Sequence, residues 1–146
     1  MSNIRVELVQ MLNQALRLEH AARIQYLAHA EQVAGINAEP IIARLQELAD
    51  DEAAHEKKFR TLIASYLDGV PCMELAATHP AKDIKSILDI NLNDEKTAID
   101  FYKTIYVKIV ENKSALPYEF ETLEHTVRHI ILDEQEHVVE LQTLLG

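Results

Sequence analysis

In the segment 41–66, mostly apolar side chains recur every three or four residues, so they lie on one face of a helix. This is the spacing of a helix packed in a bundle. Two polar residues, Glu52 and His55, interrupt this otherwise apolar stripe one helical turn apart. A carboxylate buried without a partner is costly, so it either takes up a proton or binds a cation. The sequence therefore predicts a helix whose core-facing side includes a carboxylate and an imidazole. The partners of the Glu52 and His55 side chains have to come from the rest of the chain.

The composition favours an all-helical protein. The chain has 146 residues, with only three Gly and four Pro. It is long enough to bury a substantial core, and we expect residues 1–146 to form a single domain. A helical chain with apolar stripes of this kind has to bury them against other helices.

The charge pattern excludes several classes of partner. The formal net charge is -10, and Lys and Arg form no block, so we expect no nucleic acid and no membrane as partners. The first residues lack the apolar core of a signal peptide, and no apolar run is long enough to span a bilayer. The one cysteine, Cys72, cannot form an internal disulfide and is expected to be a small, partly buried thiol. These features predict a cytoplasmic protein.

Three further stripes with the same spacing predict three further helices. The first helix is expected from about Ile4 to Ala34, and the second from Asn37 to near Leu67. A third, capped by Asp83, runs to about Asn112, and a fourth is capped by Ser114 and continues to the end of the chain. The fold class is therefore an all-α, antiparallel four-helix bundle with one long crossover between helices 2 and 3. Within the crossover, 69–82, we expect Val70, Met73, Leu75 and Ala76 to act as apolar anchors.

Polar residues recur at the middle of all four stripes. The first and third helices each carry a Glu with a Tyr seven residues later, and the second and fourth each carry Glu-x-x-His. Antiparallel packing would bring the charged members to one level of the core: Glu19, Glu52, His55, Glu95, Glu134 and His137. Tyr26, which follows Glu19 on its stripe, could donate its hydroxyl to a buried carboxylate at this level, and Tyr102 is either its counterpart or a packing residue.

Four buried carboxylates and two imidazoles cannot satisfy one another, because the carboxylates are acceptors of like charge. Two divalent cations would balance the four charges and take the imidazoles as neutral ligands. Oxygen and nitrogen ligands in this mixture suit iron, with manganese as the alternative. With iron, such a site would bind and reduce O2 or peroxide. One Glu-x-x-His alone could arise by chance, and a metal-free polar layer is the competing interpretation.

With this ligand pattern, the sequence resembles the ferritin-like superfamily, and within it most closely bacterioferritin, over nearly the whole chain. The resemblance includes the pair Gln25-Tyr26, the segment Leu67-Asp-Gly-Val-Pro71 and the spacing from Asp83 to Glu95. It implies two iron ions per subunit, with the six charged residues as ligands and Glu52 and Glu134 bridging. His55 and His137 would be terminal ligands, and Tyr26 would lie beside the site. The implied activity is ferroxidase oxidation of Fe(II) by O2 or H2O2 for iron storage or detoxification, in a homo-oligomer of at least two subunits.

Three departures from bacterioferritin shape the expectations, one of which is a longer turn between the third and fourth helices. The position of the haem-ligating Met is occupied by Ala53, so we predict no haem. The short fifth helix of that family is missing from this sequence, which leaves a closed cage or a dimer as alternatives. One alternative function is a small, non-cage di-iron oxidase or peroxidase of rubrerythrin type. Another is a metal-free helical interaction module.

The remaining histidines have weaker patterns. His29 falls on the first stripe and is interpreted as a core or interface residue, with a role beside the metals as the alternative. His125 and His129 are one turn apart and could bind an extra metal, but we expect an exposed pair on the far side of the helix. His79 lies in the crossover, where it could line an entry route.

Overall fold

In the computed structural model, which describes residues 3–146, four long helices form a bundle. They are α1 (Asn3–Gln32), α2 (Ala38–Thr61), α3 (Ile84–Glu111) and α4 (Phe120–Leu145). Short connections place α1 beside α2 and α3 beside α4, while α1 also packs on α3 and α2 on α4. The predicted all-α, antiparallel four-helix bundle with one long crossover is confirmed.

The ends of the first two helices differ slightly from the prediction. The first helix stops two residues before Ala34, and Gly35 adopts a φ of +110°, a conformation that costs glycine little. The second α-helix ends at Thr61 and continues as a single π-helical turn, Leu62–Tyr66. Tyr66, the last residue of the stripe predicted over 41–66, is exposed.

The caps of the last two helices differ in outcome. The Asp83 carboxylate accepts a hydrogen bond from the Ser86 amide at 2.9 Å, as predicted for an N-cap. The prediction for Ser114 was wrong, because this residue lies in a 3₁₀ turn and α4 begins only at Phe120. Glu119 occupies the N-cap position of α4, and its carboxylate binds Arg5 of α1 at 2.7 Å instead of capping the helix.

The crossover, residues 69–82, forms an extended strap that rises along α1. Its lower part is held by Asn13, which donates to the Val70 carbonyl at 3.0 Å and accepts from the Cys72 amide at 2.8 Å. Its upper part is held by Gln25, whose Oε1 accepts from the His79 amide at 2.6 Å. Since the strap runs in the direction of α1, it delivers the chain to the top of the bundle, where α3 begins and descends.

The apolar anchors predicted for the strap were mostly wrong. Val70 and Met73 are 80% and 93% exposed, and Leu75 is also exposed, whereas Ala76 is partly buried. Cys72 fits its prediction, since it is half-buried against the core and its thiol donates to the Asn13 carbonyl at 3.3 Å.

The apolar core has two parts, one at each end of the bundle. The lower part centres on residues such as Leu12, Phe59 and Tyr102, and the upper part on Leu45 and Leu88. Each fully buried large side chain contributes about 1.5–3 kcal/mol to folding. Along every helix, the polar mid-stripe residues fall between these two parts, so the bundle itself places them at one level.

Candidate metal centre

The six charged residues predicted from the stripes meet at the middle of the bundle. They form two groups whose ligand atoms lie within 4.8 Å of one another. The first group consists of Glu19, Glu52, His55 and Glu134, and the second of Glu52, Glu95, Glu134 and His137. Two residues, Glu52 and Glu134, belong to both groups. All six side chains are at least 97% buried.

In the first group, the imidazole of His55 points its Nδ1 at three carboxylates. The distances from Nδ1 are 3.0 Å to Glu19 Oε1, 3.2 Å to Glu52 Oε1 and 3.3 Å to Glu134 Oε1. Only the first of these has hydrogen-bond geometry. One N–H cannot serve three acceptors, so the position in front of Nδ1 suits a cation better than a proton.

The second group repeats this arrangement around His137. Its Nδ1 lies 3.1 Å from Glu134 Oε1, 3.5 Å from Glu95 Oε1 and 3.6 Å from Glu52 Oε1, and none of these contacts has hydrogen-bond geometry. The rings of His55 and His137 are stacked with centroids 6.2 Å apart. The two imidazoles therefore flank one shared pair of carboxylates from the same side.

Each imidazole is fixed from behind by an aspartate of the opposite helix. Nε2 of His55 lies 2.9 Å from Asp133 Oδ2, and Nε2 of His137 lies 3.0 Å from Asp51 Oδ2. Donation from Nε2–H to a carboxylate leaves Nδ1 free as the ligand atom and makes it more basic. The sequence interpretation missed both aspartates. The available signal was that both Glu-x-x-His motifs read Asp-Glu-x-x-His.

Replacing Asp51 with alanine is expected to weaken binding at the second group by about 10- to 100-fold, because the imidazole of His137 loses the partner that orients it. Titration of the metal-free protein with Co(II), followed by absorbance, measures the change. The matched control is Asp50→Ala, which removes a neighbouring exposed carboxylate on the same helix. Equal affinities for the two variants would contradict the positioning role of Asp51.

The tyrosines at this level have different environments. The Tyr26 hydroxyl donates to Glu95 Oε1 at 2.6 Å, so it lies beside the second group as predicted. The Tyr102 hydroxyl reaches only the Ala15 carbonyl, at 3.5 Å, and its ring packs edge-on against Phe59. Of the two interpretations left open for Tyr102, the contacts favour packing.

Burial and mutual repulsion raise the pKa values of three of the carboxyl groups. Burial, followed by the charge of Glu134, raises the pKa of Glu19 to about 8 and that of Glu95 to about 7. The same causes, in the same order, raise the pKa of Glu52 well above its usual range. Without metal, these groups therefore retain protons near neutral pH.

The imidazoles hold the remaining protons. Burial lowers their pKa values, but the close contacts with the surrounding carboxylates outweigh it, so the pKa of His137 rises to about 11 and that of His55 also rises. The pKa of Glu134 falls because the contacts with both imidazoles outweigh its burial. A metal ion has to displace these protons, which couples binding to pH.

Several buried polar atoms of the centre lack a hydrogen-bond partner. They are Glu19 Oε2, Glu52 Oε1, Glu95 Oε2, both oxygens of Glu134, and His137 Nδ1. A buried polar group without a partner costs about 1–3 kcal/mol. Six such atoms converging on one spot fit cations that the protein would bind there, because metal coordination would satisfy them. The donor set of four carboxylates and two imidazoles fits two ions of iron or manganese.

His29 lies outside both groups. It is buried, and its Nδ1 lies 2.9 Å from Asn91 Nδ2 and its Nε2 2.8 Å from the His79 carbonyl. Because the Asn91 amide donates to Nδ1, the Nε2–H of His29 donates to the strap. His29 is therefore a buried histidine outside the metal centre, in line with the core or interface residue expected from the sequence, and its contact with the strap is a finding of the structure.

The other candidate, the pair His125 and His129, is exposed on α4, with ring centroids 4.2 Å apart. Neither imidazole belongs to a metal-binding group of three or more ligands within the described part of the chain. Within residues 3–146, no helix combines the length and hydropathy needed to span a bilayer.

Comparison with known proteins agrees with the fold. A sequence profile of the ferritin-like domain matches residues 9–146. A search of curated protein sequences gave no match. Among solved structures, a ferritin-like, di-iron-carboxylate protein from Bacillus anthracis str. Ames is 25% identical, with a TM-score of 0.91 over 100% of both chains.

Two further structures are similar over most of their length. A dodecameric thioferritin from Bacteroides fragilis, described as bacterioferritin-related, is 26% identical with a TM-score of 0.81, covering 97% of this chain and 85% of that one. The bacterioferritin of Rhodobacter capsulatus is 22% identical with a TM-score of 0.82, covering 96% and 84%, and this likeness concerns the fold alone.

Four helices, one long crossover and a buried carboxylate–histidine cluster define a ferritin-like bundle of the di-iron-carboxylate kind. The chain belongs to the ferritin-like domain family. The resemblance to this superfamily and to its bacterioferritin-type members, predicted from the sequence, is confirmed.

Proposed function

We propose that this protein is a ferroxidase that binds two Fe(II) ions at the centre of the bundle and oxidises them with O2 or H2O2, for iron storage or detoxification. The observation that carries the proposal is the pair of four-residue groups that share Glu52 and Glu134. Two divalent cations at these positions would neutralise four carboxylates that the fold otherwise buries at a cost. Membership of the ferritin-like family supports the same activity.

In this proposal each side chain has a defined role. Glu52 and Glu134 would hold both ions, since each belongs to both ligand groups. Glu19 and His55 complete one position, and Glu95 and His137 complete the other. Tyr26 donates its hydroxyl to Glu95 and so holds that carboxylate in place.

The chemistry supplied by bound iron is the transfer of one electron from each ion to the oxidant. With hydrogen peroxide, two Fe(II), one H2O2 and two protons give two Fe(III) and two waters as the O–O bond breaks. The protons retained by the buried carboxyl groups and imidazoles leave when the metal binds, so the centre has to exchange protons with solvent in each cycle.

We further propose that the protein holds no haem, works in the cytoplasm and forms at least a homodimer. The net charge of -10 would attract Fe(II), and this attraction should weaken as the salt concentration rises. The dodecameric state of the Bacteroides fragilis relative supports an oligomer but does not set the number of subunits for this chain.

The proposal is tested by loading metal-free protein with excess Fe(II) without oxygen, admitting air, and measuring mass and iron together on a sizing column. We expect Fe(II) to be oxidised faster than in protein-free buffer and to remain with the protein. A large assembly that retains far more than two irons per subunit would mean storage.

A dimer-sized species with about two irons per subunit would instead favour the rubrerythrin-type alternative, a di-iron oxidase or peroxidase without a mineral. Protein that binds no metal and leaves the oxidation rate of Fe(II) unchanged would refute the ferroxidase proposal. The metal-free interaction module would then be the remaining hypothesis.

A further inference from the structure

Two histidines of α4, His125 and His129, form an imidazole pair on the exposed surface of the bundle. Their ring centroids lie 4.2 Å apart, and the ring planes are inclined by 36°. The two residues are four positions apart, so their side chains lie one above the other on the same face of the helix. This is the helical spacing with which two histidines bind a single metal ion.

Neither ring of the pair is engaged elsewhere in the described part of the chain. The protein has seven histidines. The other five each have a ring nitrogen in contact with a carboxylate or a carbonyl group: His20, His29, His55, His79 and His137. Within residues 3–146, His125 and His129 have no such contact and are exposed. The pair therefore offers two nitrogen ligands that a hydrated ion can reach from solvent.

The charges along α4 favour a cation at this position. The helix carries six acidic residues and one basic residue. The basic residue, Arg128, contacts the Glu124 carboxylate at 2.7 Å, which compensates its charge. Glu121 precedes the pair by one helical turn and Asp133 follows it by one turn. A divalent ion between the two imidazoles would therefore be attracted by the surrounding charges.

The pair is separate from the metal centre. Its midpoint is Val127, which lies seven residues before Glu134, or about 10 Å along the helix axis. Asp133, one turn beyond the pair, already contacts His55 Nε2 at 2.9 Å. Neither imidazole of the pair belongs to a ligand group of the centre. An ion at the pair would thus be held by two nitrogen atoms and by water, and by no carboxylate of the centre.

We propose that His125 and His129 form a second kind of metal site, which binds one divalent ion that prefers imidazole ligands, such as Ni(II) or Cu(II). Affinity for nitrogen ligands rises from Mn(II) and Fe(II) through Co(II) to Ni(II) and Cu(II). The carboxylate-rich centre suits iron or manganese, whereas two imidazoles with positions left for water suit the later metals. Co(II) should bind the pair more weakly than Ni(II) and so report mainly on the centre. The proposed site does not depend on the ferroxidase function.

The test is calorimetric titration of the metal-free protein with Ni(II). His129→Ala removes one imidazole of the pair, and His79→Ala is the matched control, because its imidazole is 52% exposed and lies outside the pair. A second variant, His129→Leu with Leu132→His, keeps the number of histidines but moves one imidazole along the helix, between two exposed positions. The two imidazoles are then seven residues, or about 10 Å, apart along the axis, which is too far to share one ion.

We expect His129→Ala to bind one Ni(II) ion per subunit fewer than the unsubstituted protein and His79→Ala. In His129→Leu with Leu132→His, the affinity for that ion should fall at least about 100-fold, because the second ligand no longer reaches an ion bound by the first. Glu52→Ala with Glu134→Ala, expected to lose the centre, should retain one Ni(II) per subunit. Cu(II) bound to this last variant should show coupling to two nitrogen nuclei in its electron paramagnetic resonance spectrum.

Equal Ni(II) stoichiometry in His129→Ala and His79→Ala would overturn the proposed site. An unchanged affinity in His129→Leu with Leu132→His would also overturn it, since a single imidazole would then account for the binding. The Co(II) stoichiometry of His129→Ala should stay at two per subunit, and a parallel loss of Co(II) and Ni(II) would mean that the substitution acts on the centre instead. Because the substituted positions are exposed, the thermal unfolding midpoint should remain close to that of the unsubstituted protein.

Discussion

Replacing Glu52 and Glu134 together with alanine will abolish metal binding at the centre. These two carboxylates are the only residues shared by the two ligand groups within the described part of the chain, so each group loses two of its four residues at once. We expect the stoichiometry of Co(II) binding, measured by calorimetry on the metal-free protein, to fall from two per subunit to none. The affinity should fall by well over about 100-fold, since changes that only reorient a ligand already cost about 10- to 100-fold.

The matched control is Glu47→Ala with Glu136→Ala. This pair removes the same charge from the same two helices, but at exposed positions away from the centre. Its Co(II) stoichiometry should remain two per subunit. If both double variants bound Co(II) equally, Glu52 and Glu134 would not be ligands, and the polar level of the core would have a purely structural purpose.

The location of the centre was predictable from sequence because helical geometry fixes it. A spacing of three and four residues determines which side of each helix faces the core, and a constant rise of about 1.5 Å per residue determines the level. Glu19 and Glu95 lie near the midpoints of their helices, as do Glu52 and Glu134, so antiparallel packing brings all four together. The prediction of this location depends only on the periodicity within each helix and not on the contacts between helices.

The second layer of the site was not predictable in this way. Asp51 and Asp133 directly precede the two glutamates that both groups share, so they fall off the buried stripe and look like ordinary exposed carboxylates. Each reaches a histidine of the other helix, 86 and 78 residues away in the sequence. Only the packing of α2 against α4 reveals that contact, and periodicity within one helix carries no information about it.

The strap was misread for a related reason. Its apolar residues were expected to anchor it, yet an extended segment also has amide and carbonyl groups that need partners once they lie against a helix. Side chains of α1 supply those partners, with Asn13 at the lower end and Gln25 and His29 at the upper end. Val70 and Met73 are left exposed as a result. These polar contacts span 50 residues or more and leave no local pattern in the sequence.

Without metal, the protein is expected to lose stability as the pH rises from about 5 to 8. Glu19 and Glu95 have pKa values of about 8 and about 7 in the folded protein, above the ordinary value of 4.5 that they regain on unfolding. A raised pKa means that the folded state holds the proton more tightly than the unfolded state does. The resulting contribution to the stability of the folded state is complete below pH 4.5 and disappears as the pH passes the pKa of the folded protein. The raised pKa of His137 acts in the same direction above pH 6.5. The lowered pKa of Glu134 acts in the opposite direction only below about pH 4.5, outside this window.

Bound metal should reverse this dependence. Metal binds only to deprotonated ligands, so the affinity for metal, and with it the stabilisation of the folded protein, rises with pH. Thermal unfolding of chelator-treated protein, with and without Mn(II), measures both trends. We expect the midpoint without metal to fall by at least about 5 °C between pH 5.5 and 8, equivalent to more than about 1 kcal/mol for a chain of this size. The increase in midpoint caused by Mn(II) should grow over the same range, and in Glu52→Ala with Glu134→Ala it should vanish at every pH. If the midpoint without metal instead rose with pH, the buried carboxyl groups would already be ionised in the metal-free protein. Groups other than a metal would then have to stabilise their charges.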